Sequence, residues 1–152
     1  MEVYRERMDN SMKLPDVVIV GKILMGLLVL LMVMHVLILA RVIPYEVVWG
    51  GSIKDETQLY VFEISALIIN GLFFIITAIK LGHIRAPGLW RVADIGMWIV
   101  FAYFAMNVIG NLSSGVSWEK LLFAPLSIVL ALLSLRVAVH RESPVNTGSQ
   151  GI

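Results

Sequence analysis

Four polar side chains interrupt the long apolar stretches of this sequence, and their types could support chemistry. His35, Glu63, Asn70 and Asn107 occur where the neighbouring residues are almost entirely apolar. Ionisable groups in such surroundings mark proton relays, ligand sites or pairs between helices. Because a buried carboxylate must be neutral or paired, Glu63 is the strongest candidate for a functional centre.

The depth of these side chains can be estimated from helix geometry. A helix rises about 1.5 Å per residue, which places His35 roughly 9 Å, Glu63 roughly 7–8 Å and Asn107 roughly 6 Å from the nearest polar loop. The three loops lie at the same end of the predicted bundle. A polar group that faces lipid is costly, so we expect these three side chains to face inward and to meet at one level.

Helical periodicity extends this polar level along the second apolar segment. Tyr60, Glu63, Asn70 and Thr77 follow steps of three and seven residues, which is one face of a helix. The loop before this segment adds polar and aromatic residues at the same end of the bundle. Together these positions give the candidate ligand-binding residues: His35, Tyr45, Glu46, Trp49, Tyr60, Glu63, Asn70, Tyr103 and Asn107.

Two arrangements would satisfy Glu63. A protonated carboxyl group could donate to Asn107 or to a loop carbonyl, whereas an ionised one would require protonated His35, or Arg41 reaching in from the membrane interface. A simpler interpretation stays open beside both. His and Asn often only bond across membrane helices, and loop Trp and Tyr often only anchor a protein at the interface.

The sequence lacks the residues or motifs that several kinds of reaction require. The chain has no cysteine, which excludes thiolate catalysis and Cys-ligated metals. His35 and Glu63 do not show the local spacing of metal ligands. His83 and His140 are expected at the opposite end of the bundle from His35, so two histidines cannot face each other to bind a haem. No phosphate loop or dinucleotide fingerprint occurs. We therefore predict no metal and no cofactor, and a net charge of +1 without a basic stripe predicts no nucleic-acid partner.

The composition indicates that the bilayer is the solvent of these residues. Of the 152 residues 59% are hydrophobic and 15% are charged, against about 45–50% and 25% in soluble domains. Four apolar segments are long enough to cross a membrane, and their short connections favour antiparallel neighbours. The sequence predicts an all-α, integral membrane four-helix up-down bundle at residues 17–140, with spans of about 17–43, 58–80, 91–111 and 118–140.

The ends of these spans carry further expectations. Pro44 predicts that the first helix ends at Ile43, and Pro125 predicts a bend in the fourth. Asp94 and Arg136 lie near one interface and suggest a structural ion pair, for which Lys80 is a competing partner. Residues 1–16 are expected to form an interfacial helix or a frayed tail, and residues 141–152 a flexible tail.

Basic residues predict the orientation. Nine of them fall on the side of the chain ends and three on the other. Because cytoplasmic loops are enriched in Lys and Arg, both termini are expected in the cytoplasm. The nine are Arg5, Arg7, Lys13, Lys22, Lys80, Arg85, Arg91, Arg136 and Arg141, and the three are Arg41, Lys54 and Lys120.

Two stretches also carry a resemblance. RVIPYEVVWGGSIK at Arg41–Lys54 and YVFEISALIIN at Tyr60–Asn70 resemble small bacterial four-helix membrane proteins that have no assigned activity. The resemblance implies a bacterial inner-membrane location and the bundle, and it implies no chemistry.

These observations favour a non-enzymatic membrane protein with a polar and aromatic pocket in the outer leaflet. The pocket would bind a small apolar or amphipathic, lipid-like ligand or a partner membrane subunit, and a homo-oligomer stays open. One rival is a proton-coupled small-molecule transporter that uses Glu63 and His35. The other is a membrane enzyme that acts on a lipid-like substrate with the same two residues as acid and base.

Overall fold

The computed structural model describes residues 16–45 and 48–140. Within them the chain forms four helices and no strand. Almost all of the predicted N-terminal segment, Glu46 and the predicted C-terminal tail lie outside the described residues. The helices are α1 (Val17–Leu39), α2 (Glu56–Lys80), α3 (Trp90–Ser113) and α4 (Ala124–Ala138), with a π-helical turn (Glu119–Phe123) before α4 and short 3-10 helices at Trp49–Gly51 and Pro87–Leu89.

All four helical spans are long and apolar enough to cross a membrane, at 20 to 25 residues each when the π turn is counted with α4. Only 28% to 39% of the most apolar window of each is buried inside the bundle. The outward surface is therefore also apolar, with large exposed side chains such as Ile19, Leu30, Ile68, Ile95 and Ile109. Such a surface is stable against lipid and not against water.

The helices form a square in which each packs against two neighbours. α1 contacts α2 and α4, and α3 contacts α2 and α4, whereas the diagonal pairs contribute little. Consecutive helices joined by short loops run antiparallel in this arrangement. The predicted four-helix up-down membrane bundle is confirmed, and the described chain ends lie at the same end of it.

The tightest packing occupies the half of the bundle that holds the chain ends. Leu24, Leu28, Met97 and Val100 are completely buried there, and Phe73 joins them from α2. A second, smaller apolar cluster lies at the opposite end, where Ile38, Val48, Ile53 and Leu59 bury the base of the first loop. Between the two clusters the interior also holds buried polar side chains, among them Glu63 and Asn70.

The first helix ends four residues earlier than predicted, so the expected boundary at Ile43 is wrong. Arg41 has a left-handed φ of 59°, and the N–H groups of Arg41 and Val42 donate to the carbonyls of Ile38 and Leu37, both at 2.9 Å. This is a Schellman cap, in which glycine usually occupies the left-handed position. Gly82, with a φ of 72°, closes α2 in the same way.

The irregularity expected at Pro125 lies just before it. Proline has no N–H to donate to the carbonyl four residues earlier, and its ring clashes with that carbonyl. The chain widens into the π turn instead, where the N–H of Ala124 donates to the carbonyl of Glu119. This wider turn brings Glu119 into the bundle, where it is only 5% exposed.

The structure pairs Asp94 with Lys80, which the sequence offered as the competing partner to Arg136. The side chain of Lys80 is 1% exposed and that of Asp94 is 51% exposed. Lys80 is the last residue of α2. Its ammonium group also lies 5.9 Å from the centroid of the Trp90 ring. The buried cation is therefore paired with a half-exposed carboxylate.

Candidate ligand-binding site

Glu63 is the centre of a hydrogen-bonded cluster that joins two helices and a loop. Its Oε2 lies 2.6 Å from His35 Nδ1, and its Oε1 accepts from the indole Nε1 of Trp49 at 2.6 Å. Glu63 is fully buried. The structure thus brings His35 and Glu63 together. We refer to Glu63, His35 and Trp49 as the Glu63 cluster.

The other partners considered for Glu63 are engaged elsewhere. Arg41 pairs with Glu56 at 2.7 Å on the exposed surface. Hydrogen bonding to Glu56, and then to Tyr60, raises the pKa of the Arg41 guanidinium. Asn107 Nδ2 donates to the carbonyl of Tyr103 in its own helix. Neither Arg41 nor Asn107 therefore replaces His35 beside Glu63.

Trp49 reaches Glu63 because the loop folds into an unusual backbone. Trp49, Gly50 and Gly51 have φ values of 56°, 66° and 69°. Glycine adopts this region freely, but a tryptophan there costs of the order of 1 kcal/mol or more and needs support from its surroundings. The support comes from the hydrogen bond to Glu63 and from the ring of Phe62, whose centroid lies 5.2 Å from that of Trp49.

A second carboxylate holds the next residue of the same loop. The N–H of Gly50 donates to Glu119 Oε1 at 2.8 Å. Two consecutive residues of the loop are thus bound by carboxylates from opposite sides of the bundle, Glu63 from α2 and Glu119 from the π turn. Sequence reasoning missed Glu119, because it was taken as the boundary of the fourth span. The available signal was Pro125, since the turn before a helix proline is where a chain widens.

A cavity of about 370 Å³ lies beneath this loop. His35, Trp49, Asn70, Tyr103 and Asn107 line it, as do residues that the sequence did not single out as ligand-binding candidates. The latter are Leu31, Met34, Ile38, Val48, Gly50, Ala66, Phe104, Gly110, Asn111, Ser113, Ser114, Glu119, Phe123, Leu126, Ser127 and Leu130.

The structure places three of the remaining candidates away from the cavity lining. Glu63 lies behind His35 and Trp49 and contributes to the wall only through them. Tyr45 packs against the small apolar cluster at the base of the loop. Tyr60 is 44% exposed and interacts with Arg41. Glu46 is outside the described residues.

Asn70 marks the floor of the cavity. It is 3% exposed, and its Nδ2 donates to the carbonyl of Ala66 at 2.8 Å. Its Oδ1 is buried and has no hydrogen-bond partner among the described residues. Buried acceptors in native proteins are nearly always satisfied, so an orphaned one at a cavity wall requires an explanation.

The cavity has no polar continuation below Asn70. The next polar groups toward the other end are the hydroxyls of Thr77 and Ser134, which donate to the carbonyls of Phe73 and Leu130 in their own helices. The fully buried side chains of Leu24, Leu28, Met97 and Val100 fill this half. The cavity is therefore closed at one end within the membrane span.

The lining has the composition of a ligand site. Apolar side chains such as Leu31, Phe104 and Leu130 share the wall with amides and hydroxyls such as those of Asn70, Asn107 and Ser127. Small-molecule sites combine apolar contact with a few directed hydrogen bonds in this way. Among the described residues no group of three or more His, Asp or Glu could hold a metal ion.

Comparisons of the chain with protein-family models, with curated proteins and with solved structures found no match. The class is therefore defined by the fold alone, and it is a multi-pass, four-helix membrane bundle.

Proposed function

We propose that this protein binds a small amphipathic molecule in the cavity beneath the first loop. The observation that carries the proposal is Asn70, which lines the cavity and whose buried Oδ1 has no hydrogen-bond partner among the described residues. A ligand that places a hydroxyl or N–H group at the floor would satisfy this acceptor. Leu31, Phe104 and Leu130 would contact its apolar body.

The closed floor favours binding over transport. A carrier needs access to its site from both sides of the membrane, whereas the half below Asn70 is filled by apolar side chains. Both oxygens of Glu63 are already engaged, and Glu63 itself does not line the cavity. These features support a binding protein more than a proton-coupled transporter or a membrane enzyme that uses Glu63 and His35.

The proposal includes a location in a bacterial inner membrane with both termini in the cytoplasm and the first loop outside. The nine-to-three distribution of basic residues supports it. The parent has no cysteine, so a single exposed Ser52→Cys can be labelled with a membrane-impermeant maleimide in intact cells. Labelling from the outside is expected, and labelling only after the cells are opened would reverse the orientation.

The binding experiment uses octan-1-ol as the probe and Trp49 as the reporter, with the protein in lipid nanodiscs. Trp90, Trp98 and Trp118 do not line the cavity, so their replacement by Phe leaves Trp49 as the only tryptophan. We expect a saturable change in Trp49 emission on titration with octan-1-ol. A change that only follows the partition of the probe into lipid would contradict the proposal.

Asn70→Leu tests the floor of the cavity. One hydrogen bond is worth about 1 kcal/mol net, so the variant should bind octan-1-ol about fivefold more weakly. The same variant should gain stability without a ligand, because an orphaned acceptor is replaced by an apolar side chain of similar volume. Thr77→Val, two helical turns deeper on the same face, is the control and should leave the affinity unchanged. Equal affinity of Asn70→Leu and the parent would remove Asn70 from the site.

A further inference from the structure

Glu119 is a buried carboxylate whose charge the described structure does not balance. The ion pairs between described residues are His35–Glu63, Arg41–Glu56 and Lys80–Asp94, and Glu119 belongs to none of them. Its side chain lines the cavity and is only 5% exposed. Taking a carboxylate out of water without a cation is strongly unfavourable.

One oxygen of Glu119 is used and one is left for a ligand. Oε1 accepts from the N–H of Gly50, while Oε2 accepts from no described residue. A carboxylate has about four acceptor positions, so one backbone N–H does not saturate it. The remaining oxygen borders a cavity that is otherwise lined by neutral side chains and by His35.

We propose that the ligand of this cavity carries a protonated amine that pairs with Glu119. This inference rests on the proposed ligand-binding function and names the chemistry of the ligand. A second observation at the same cavity also points to a ligand, because Asn70 is 97% buried and presents an unsatisfied acceptor. The two acceptors differ in charge, so they would select an ammonium group at Glu119 and a neutral donor at Asn70.

The depth of Asn70 below the loop indicates the length of a suitable probe. Glu63 and Glu119 both contact the loop that covers the cavity, Glu63 through the indole of Trp49 and Glu119 through the N–H of Gly50. Asn70 follows Glu63 by seven residues on α2, which is about 10 Å along the helix. An amine and a hydroxyl at the ends of an eight-carbon chain span roughly this distance. The chemical class is an amphipathic amino alcohol of about this length.

The test compares octan-1-ol with 8-aminooctan-1-ol in the Trp49 reporter, on the parent and on Glu119→Gln. Glutamine keeps an acceptor for the N–H of Gly50 and removes only the charge. For each probe, the affinity of the variant is compared with that of the parent, because the two probes partition differently into lipid. We expect Glu119→Gln to weaken the binding of 8-aminooctan-1-ol at least tenfold more than it weakens the binding of octan-1-ol. Unchanged Trp49 emission before titration would show that the loop has kept its position.

A neutral form of the amine probe provides a control for the charge. N-acetyl-8-aminooctan-1-ol keeps an N–H donor and adds no charge, so it should bind the parent with the same affinity as it binds Glu119→Gln. If octan-1-ol does not bind saturably, the proposed function fails. If octan-1-ol binds through Asn70 but 8-aminooctan-1-ol is insensitive to Glu119→Gln, only the amine is wrong.

Discussion

Replacement of Glu63 by leucine is the sharpest test of the polar cluster that joins α1, α2 and the first loop. The change removes the acceptor for His35 Nδ1 and for Trp49 Nε1, each at 2.6 Å. A buried donor that loses its partner costs about 1–3 kcal/mol. The side chain of His35 is 12% exposed and would bear most of this cost, whereas Trp49 is 38% exposed and can turn to water. We therefore expect Glu63→Leu to destabilise the fold by about 3 kcal/mol.

The energy can be assigned to the contact itself with a thermodynamic cycle. His35→Leu alone leaves Glu63 with the indole as its partner and should cost about 2 kcal/mol. The double variant replaces both polar groups by apolar ones and should cost less than the sum by at least about 1.5 kcal/mol. The assay is reversible unfolding by sodium dodecyl sulfate in mixed micelles, with far-ultraviolet circular dichroism as the measure of helix.

The control and the refuting result follow from the same design. Ser134→Ala removes a buried hydroxyl that bonds only to carbonyls of its own helix, so its effect should be small and additive with Glu63→Leu. Additivity of His35→Leu and Glu63→Leu within about 0.5 kcal/mol would show that the two side chains do not interact. Unchanged stability of Glu63→Leu would refute the cluster altogether.

Three further changes test other parts of the fold in the same unfolding assay. Trp49→Phe keeps a ring in the loop but removes the indole N–H, and should cost about 1–2 kcal/mol; no loss would place the indole outside the cluster. Gly21→Val should cost about 1–3 kcal/mol, because a Cβ at this position would lie 2.3 Å from the side chain of Leu81. Gly26→Val is the control and should cost less than about 1 kcal/mol, because a Cβ there would have nothing within 4 Å. Equal losses for the two variants would contradict the close packing at Gly21. Asp94→Asn should cost about 2 kcal/mol by leaving buried Lys80 without its counter-charge, and Lys80→Met should cost less; the reverse order would mean that the pair is not coupled.

The bundle could be predicted from sequence because each level of information agreed. Apolar length predicted four spans, and three of them lie within two residues of the helical spans at each end when the π turn is counted with α4. The exception is the first span, whose end at Leu39 depends on the left-handed cap at Arg41, a position that glycine usually occupies. Pro44 is a correct signal that helix cannot continue, but it could not reveal that the helix had already ended four residues earlier.

The site could be predicted only in part, and the reason is the same for each miss. Periodicity placed Glu63 and Asn70 on one inward face, and the depth estimate placed His35 opposite Glu63. Trp49 and Glu119 depend on tertiary geometry. Nothing local favours a tryptophan with a positive φ, and a carboxylate at the start of a span is expected to face the interface until the π turn rotates it inward.

The polar face of α2 explains why the cavity ends where it does. Glu63, Asn70 and Thr77 recur every seven residues on one side of the helix, and all three are buried, yet their partners differ. Glu63 is satisfied entirely by side chains from outside its own helix. Asn70 is half satisfied by its own helix, and the hydroxyl of Thr77 lies 2.8 Å from the carbonyl of Phe73 in its own helix and 3.6 Å from Met97 Sδ on α3. Within a membrane every polar group must find a partner in protein, water or ligand. Of these three side chains Asn70 alone keeps a buried acceptor without a partner among the described residues, so it is the position on this face where a bound molecule could supply one.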